Sequence, residues 1–232
     1  MNDWQMDPEF TERFEHFAFS EVPNEQGQQL DEQTRHMAIL AALLGCQGVD
    51  EFKWALNRAL DAGVSPVMAK EIVYQAVDYL GIGRVRPFLD AANGVLLERG
   101  VCLPLEPQAT TTLENRLQKG IQAQVDIFGE HMRTAWQKGH INRWLAANCF
   151  GDYYTRTGLT LAQREMITFC FLAAQGGCEP QLTAHAGGNM NLGNGEEFLI
   201  KVVSQCLPYI GYPRSLNALS CIAKAAEARK QP

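Results

Sequence analysis

The stretch Gln205-Cys-Leu-Pro-Tyr209-Ile-Gly211-Tyr-Pro-Arg214 repeats an earlier one, Gln75-Ala-Val-Asp-Tyr79-Leu-Gly81-Ile-Gly-Arg84. Gln, Tyr, Gly and Arg recur in both copies, each at an offset of 130 residues. A matched pattern at one fixed offset indicates an internal repeat. The chain is therefore predicted to be a tandem duplication.

Further matches extend the repeat in both directions. Gly63 recurs as Gly193 at the same offset, and Arg35-x-Met37 recurs as Arg164-x-Met166 at an offset of 129. The difference of one residue falls in the turn between the two matches, where an insertion is tolerated. Each copy therefore spans several secondary-structure elements.

The elements of each copy are predicted to be helices. Apolar residues recur at helical spacing, as in Met37, Leu40, Ala41 and Leu44, and glycines and prolines separate the segments. No stretch has the alternation of a convincing strand, so an all-α fold is expected. Phe10, Phe14 and Phe17 have the same spacing and are expected in the core. We place the N-terminal repeat at 7–100, a linker at 101–112 and the C-terminal repeat at 113–228.

Composition excludes several classes of protein. Of the 232 residues, 46% are hydrophobic and 20% charged, with a net charge of −6, so nothing favours binding to nucleic acid. The seven cysteines are scattered without Cys-x-x-Cys spacing, which favours free thiols in a cytoplasm over disulfides or a zinc site. The N-terminus lacks the basic and apolar regions of a signal peptide, and no apolar run is long enough to span a membrane. A cytoplasmic protein without a membrane partner is expected.

The stretch 175–193 is the best candidate for a site. Gly176 and Gly177 are expected to end one helix, and Pro180 suits the first turn of the next. Cys178 and His185 lie around this corner. They are predicted to share a pocket at the N-terminal end of the second helix.

A wider set of motifs accompanies this corner. The set is Arg116-Leu-Gln-Lys-Gly120, Phe128-Gly129, Phe150-Gly-Asp-Tyr-Tyr-Thr-Arg156-x-Gly158-Leu159, Arg164, Cys178-Glu179-x-x-Leu182-x-x-His185, Gly193 and Gln205-x-x-x-Tyr209-x-Gly211-x-Pro213. In this order the motifs resemble the carboxymuconolactone decarboxylase family, which includes alkyl hydroperoxidase D. The likeness is closer in the second half than in the first. It implies an all-helical fold and assembly into rings, here a homo-oligomer of three two-repeat chains.

The resemblance also implies a site, with two departures from the known patterns. The decarboxylase type carries an arginine where this chain has Cys178. The peroxidase type has Cys-x-x-Cys-x-x-x-His, and here Gln181 replaces the second cysteine. In the first repeat Ala55 stands at the position of His185, so only the second repeat is expected to carry the site.

Each candidate catalytic residue has a structural alternative. His185 suits a general acid or base, because imidazole exchanges protons near neutral pH, but it could also be a hydrogen-bonded helix residue. Cys178 precedes a helix N-terminus, which favours the thiolate and a lowered pKa, or it is a small residue at a tight corner. Glu179 could assist His185 or only satisfy the helix N-terminus.

Three further residues are candidates for substrate binding. Arg164 and Arg214 could grip a carboxylate in bidentate fashion. Both recur in the first half, which favours structural ion pairs. Tyr209 also occurs in both halves, so packing is its simpler interpretation.

Three functions follow from these candidates, none of which requires a metal or another cofactor. The first is a cofactor-free lyase acting on a small carboxylated lactone or keto acid, with His185 as proton donor. The second is a peroxiredoxin-like hydroperoxide reductase that uses Cys178 and His185. The third is a non-catalytic oligomeric scaffold that binds a small molecule.

Overall fold

The fold is all-α. The computed structural model describes residues 6–230 and contains twelve α-helices and no strand in that range. The helices are α1 (Pro8–His16), α2 (Val22–Asn24), α3 (Glu32–Cys46), α4 (Val49–Asp61), α5 (Pro66–Leu80), α6 (Ile82–Glu98), α7 (Arg116–Phe128), α8 (His140–Trp144), α9 (Leu161–Gln175), α10 (Glu179–Asn191), α11 (Glu196–Ile210) and α12 (Tyr212–Ala228). Two π-helical segments, Phe17–Glu21 and Leu145–Tyr154, follow α1 and α8, and a 3-10 segment, Glu130–Lys138, precedes α8.

The predicted duplication is present in the helices. Helices α3, α4, α5 and α6 contain 15, 13, 15 and 17 residues, and α9, α10, α11 and α12 have the same lengths in the same order. The chain is therefore an all-α tandem duplication. The segment between α6 and α7, which contains the predicted linker, has no helix.

The two repeats interlock around one shared core. Helices α3 and α9 pack against each other at its centre, while α5 packs on α9 and α11 packs on α3. Two buried hydrogen bonds repeat this exchange: Arg164 Nη1 donates to Gln75 Oε1 at 2.8 Å, and Arg35 Nε donates to Gln205 Oε1 at 3.0 Å. Each repeat therefore completes the core of the other.

The glycine corner has the predicted form. Helix α9 ends at Gln175, and Gly176 and Gly177 follow with φ of 72° and 70°, a conformation that favours glycine. Helix α10 begins at Glu179 with Pro180 in its first turn. Only three residues thus separate the two helices, and α10 packs against α9.

Helix α1 differs from the prediction. It contains no buried residue, and Phe10 is 62% exposed. The rings of Phe10 and Phe14 stack on each other, and Phe14 meets Phe19 edge-on, so this aromatic row packs locally. The phenylalanines do have helical spacing, but they are not in the core because α1 packs mainly on the π-helical segment that follows it.

None of the helices in the described part of the chain is long and apolar enough to cross a membrane. The residues on which the prediction about a signal peptide mainly rests, 1–5, lie outside the described range.

Candidate functional site

A buried histidine–glutamate pair lies where α10 crosses α9. His185 Nδ1 is 2.8 Å from Glu165 Oε2, and the side chains are 11% and 0% exposed. The contact occupies Nδ1, so Nε2 is the ring nitrogen left for a ligand. Glu165 was not among the residues singled out in the sequence.

Two aromatic rings hold the imidazole in place. Tyr79 and Phe128 each meet the His185 ring nearly at right angles, with centroid distances of 5.5 and 5.4 Å. Edge-to-face contacts of this kind are favourable and restrict rotation of the imidazole. Tyr79 belongs to α5, so the first repeat contributes directly to a site that was expected from the second repeat alone.

The second oxygen of Glu165 anchors a network of hydroxyl groups. Tyr154 donates to Glu165 Oε1 at 2.8 Å, and the Tyr154 oxygen lies 2.7 Å from both Tyr79 Oη and Thr168 Oγ1. Burial is the largest cause that raises the pKa of Tyr79 and of Tyr154 well above the ordinary value, so both remain protonated donors. Each carboxylate oxygen of Glu165 thus has a partner, which is what a buried acid requires.

Gly188 permits α10 to approach α9 and α7 closely. A Cβ at Gly188 would lie 2.8 Å from Glu165 Oε2, from Ile127 Cγ2 and from Phe128 Cε1. A side chain at this position would therefore displace the carboxylate. Gly188 belongs to the glycine-rich run after His185, but the spacing of that run does not reveal the contact.

His185 and Cys178 line one cavity of about 930 Å³. Apolar side chains supply much of the remaining wall, among them Phe128, Phe150 and Leu172. The two residues thus share a pocket, and their chemical roles stay predictions.

The environment of Cys178 does not favour a thiolate. Burial is the main cause that raises the pKa of this half-buried thiol, and the neighbouring Glu179 charge adds to the effect. Its sulfur lies 3.5 Å from the carbonyl oxygen of Leu172 and 3.9 Å from Gln175 Nε2. The lowered pKa expected from the helix N-terminus is therefore corrected: desolvation and a nearby carboxylate act in the opposite direction.

Glu179 lies apart from the pair. Its Oε1 accepts a hydrogen bond from Asn217 Nδ2 at 2.9 Å, and hydrogen bonds from its own backbone and Asn217 lower its pKa. Glu179 is not one of the described residues that line the cavity. The expected partner of His185 is thus replaced by Glu165, because α9 presents its carboxylate to α10 across the helix contact.

The proposed substrate-binding residues also lie outside the described lining of the cavity. Arg164 is fully buried, and its Nη2 lies 2.9 Å from Glu71 Oε2, so it has the structural ion pair that was its alternative. Arg214 is exposed beside the glycine corner. Tyr209 is the counterpart of Tyr79 and lies near Arg35 instead of at this cavity. Burial is the main cause that raises its pKa to about 12.

Two further side chains that can carry a positive charge, Arg229 and His131, line the cavity. Arg229, just beyond α12, contacts Asn191 Oδ1 through Nη1, and His131 comes from the 3-10 segment. Both are exposed, which suits groups at a cavity mouth. Neither belongs to a motif, so only their position reveals them.

The corresponding positions of the first repeat hold no such pair. His36 stands in the place of Glu165 and Ala55 in the place of His185. Burial, followed by the charge of Arg35, lowers the pKa of His36 to about 4, so this histidine is neutral near pH 7. Within residues 6–230, no group of three or more His, Cys, Asp and Glu side chains is arranged to hold a metal ion.

The fold and site together define an all-α, two-repeat protein with a histidine–glutamate pair in an apolar cavity. The family model for the carboxymuconolactone decarboxylase family matches twice, at residues 8–94 and 140–224. The chain belongs to this family. A search for curated relatives finds no significant match.

Proposed function

We propose that the chain is a cofactor-free carboxy-lyase that acts on a small carboxylated lactone or keto acid in the cavity beside His185. The observation that carries the proposal is the Glu165–His185 pair, with Nδ1 held at 2.8 Å and Nε2 left for the substrate. The family includes decarboxylases and hydroperoxidases, so the choice between the two activities rests on the side chains of the cavity.

In the decarboxylation, the C–C bond to the leaving carboxylate breaks and its electron pair passes into the enolate of the neighbouring carbonyl. CO₂ leaves, and protonated His185 delivers the Nε2 proton to the enolate carbon. Glu165 stabilises the imidazolium and fixes its orientation, as a buried carboxylate does for a catalytic histidine. The apolar wall near Phe128 and Phe150 favours loss of charge from the carboxylate, since burial disfavours a charged group.

Arg229 is our candidate for holding a second acidic group of the substrate. It lines the same cavity, whereas Arg164 is engaged by Glu71. An exposed arginine at the mouth can bind a carboxylate or lactone oxygen through two donors. With the second acidic group held by Arg229, the carboxylate that is lost as CO₂ would lie in the apolar part of the cavity.

The test measures CO₂ release from a panel of small carboxylated lactones and keto acids. We expect His185→Ala to lower the rate by about 10²–10⁴, the usual contribution of a general acid or base. His131→Ala is the matched control, because this histidine lines the same cavity outside the pair. Equal rates for the wild type and His185→Ala on every accepted substrate would rule out the proposed role.

The alternative is hydroperoxide reduction, favoured by the presence of Cys178 in the same cavity. A thiolate would attack the peroxide, forming a sulfenic acid and releasing an alcohol, and a second thiol would then have to reduce the sulfenic acid. The raised pKa of Cys178 and the glutamine at position 181 both disfavour this cycle. Binding of a ligand without any turnover would instead support the scaffold function.

We also propose that the protein works as a homo-oligomer in the cytoplasm. Exposed Ile82 and Tyr212 occupy corresponding positions at the start of α6 and α12, and both are large apolar groups. Matching apolar surfaces on the two repeats suit a ring of three chains with six similar units. The described cysteines are all free, as expected for a reducing compartment.

A further inference from the structure

Two residues of the cavity wall each carry a buried oxygen for which the described part of the chain supplies no hydrogen-bond partner. These oxygens are Asp78 Oδ2 on α5 and Gln124 Oε1 on α7. An unpaired buried oxygen is rare in folded proteins and costs about 1–3 kcal/mol. Both atoms belong to residues that line the cavity of His185, so a ligand there could satisfy them.

Gln124 is the clearer of the two. The residue is 2% exposed and lies between Ala123 and Val125, which are also buried. An apolar side chain would be expected at such a position, because burying an amide without its hydrogen bonds is unfavourable. Gln124 lines the cavity, so its side-chain amide lies beside the space that a ligand would occupy.

Asp78 is held with one oxygen engaged and the other unpaired. Asn148 Nδ2 donates to Asp78 Oδ1 at 2.9 Å. Burial is the main cause that raises the pKa of the Asp78 carboxyl to about 7. The nearby Cys149 thiol and the Asn148 amide oppose the rise, and the charge of Asp152 adds to it. Near neutral pH the carboxyl is thus close to the balance of its two forms, and a donor on a ligand would favour the ionised one.

The helices that carry the two residues share a neighbour. Both α5 and α7 pack against the π-helical segment Leu145–Tyr154, which carries Asn148 and Phe150. Apolar Phe128 and Phe150 line the cavity with them. The wall therefore combines an aromatic surface with two acceptors, a common arrangement for recognising a small ligand with one polar end.

We propose that Asp78 and Gln124 form a polar subsite that binds a hydrogen-bond donor, an alcohol hydroxyl or a protonated amine, on a small ligand. The apolar part of that ligand packs on Phe128 and Phe150. The inference rests on the cavity being the substrate site proposed above and adds a requirement for the substrate: it carries a donor group away from the carbon that His185 protonates.

The test compares the dissociation constants of benzyl alcohol, benzylamine and ethylbenzene, measured by NMR titration. The three probes share a ring and differ in the terminal group. An apolar cavity without acceptors would bind ethylbenzene most tightly, because the polar groups lose water without compensation. We expect the wild type to prefer the alcohol or the amine, and whichever is preferred identifies the donor.

Variants then locate the preference. Gln124→Met keeps the length of the side chain and removes the acceptor, so the preference for a donor should fall about ten-fold. Asp78→Asn removes the charge and should weaken benzylamine more than benzyl alcohol. Gln122→Met, at an exposed position of the same helix, is the control and should bind like the wild type.

Tighter binding of ethylbenzene by the wild type would overturn the inference without any variant, as would an unchanged preference in a folded Gln124→Met. Because binding is measured apart from CO₂ release, the two proposals fail separately. Turnover without donor preference would remove the subsite alone, and donor preference without turnover would remove the lyase alone.

Discussion

The glycine at position 188 provides a sharp test of the histidine–glutamate pair. In Gly188→Ala the new Cβ would lie 2.8 Å from Glu165 Oε2, Ile127 Cγ2 and Phe128 Cε1, whereas ordinary contacts are 3.4–4 Å. Overpacking of this kind costs about 1–3 kcal/mol. Replacing glycine by alanine inside a helix restores about 1 kcal/mol. The net change is therefore a loss of up to roughly 2 kcal/mol in the free energy of unfolding.

Gly187→Ala is the matched control on the same helix. No atom lies within 4 Å of a Cβ built at Gly187, although this residue also lines the cavity. The substitution should therefore raise the free energy of unfolding by up to about 1 kcal/mol, through helix propensity alone. Thermal melts should place Gly187→Ala above the wild type and Gly188→Ala below it, with roughly 2–4 °C for each kcal/mol.

The same substitution should disturb the site itself. Moving the Glu165 carboxylate by a fraction of an ångström to one ångström away from His185 should lower CO₂ release by up to about 100-fold. ¹⁵N NMR of the His185 ring reports the loss of the Nδ1 contact even without a substrate. If Gly188→Ala were as stable as Gly187→Ala and kept the imidazole signal of the wild type, the close packing inferred at this contact would be wrong.

Three other outcomes are expected. Purified protein should reduce hydroperoxides slowly or not at all with a dithiol, and Cys178→Ser should leave CO₂ release largely intact; robust peroxidase turnover lost in Cys178→Ser would reverse our ranking. Because the pKa of Asp78 is raised from 3.8 to about 7, the folded state holds a proton that the unfolded chain loses, so this carboxyl lowers stability as pH rises through that window. Denaturant unfolding should accordingly show a larger stabilisation by Asp78→Asn at about pH 8 than at about pH 5, and a gain independent of pH would contradict it. Light scattering should give a trimer, and the double substitution Ile82→Lys and Tyr212→Lys should dissociate it. A wild-type monomer at micromolar concentration would exclude the ring.

Much of the fold could be predicted because its signals are local. The repeated Gln-x-x-x-Tyr-x-Gly-x-x-Arg motif spans a helix end, a turn and the next helix start, and both copies have that structure. Gly176 and Gly177 likewise mark a corner that depends on their own φ angles. The row of phenylalanines on α1 misled the prediction, since helical spacing shows which residues share a face and not what covers that face.

The site could be predicted only in part, because its partners meet through packing. His185 and Cys178 were found from one short corner, whereas Glu165 and Tyr79 reach His185 from two other helices. One signal for Glu165 was available: it is an acid that directly precedes the apolar run of α9, next to an arginine that was already suspected of pairing. The arginine pairs with Glu71 instead, which leaves Glu165 to the histidine.

The duplication explains why a degenerate first repeat is still needed. The repeats exchange helices, so α5 of the first repeat forms a wall of the cavity in the second. The first repeat has His36 and Ala55 at the corresponding positions and so lacks such a pair. Its Gln75 and Tyr79 nevertheless hold Arg164 and the hydroxyl network around Glu165. A single unit that pairs with an identical copy must keep catalytic and supporting residues in the same sequence. In a fused pair these roles can separate, and here one half supplies the histidine and its acid while the other supplies much of the framework that orients them.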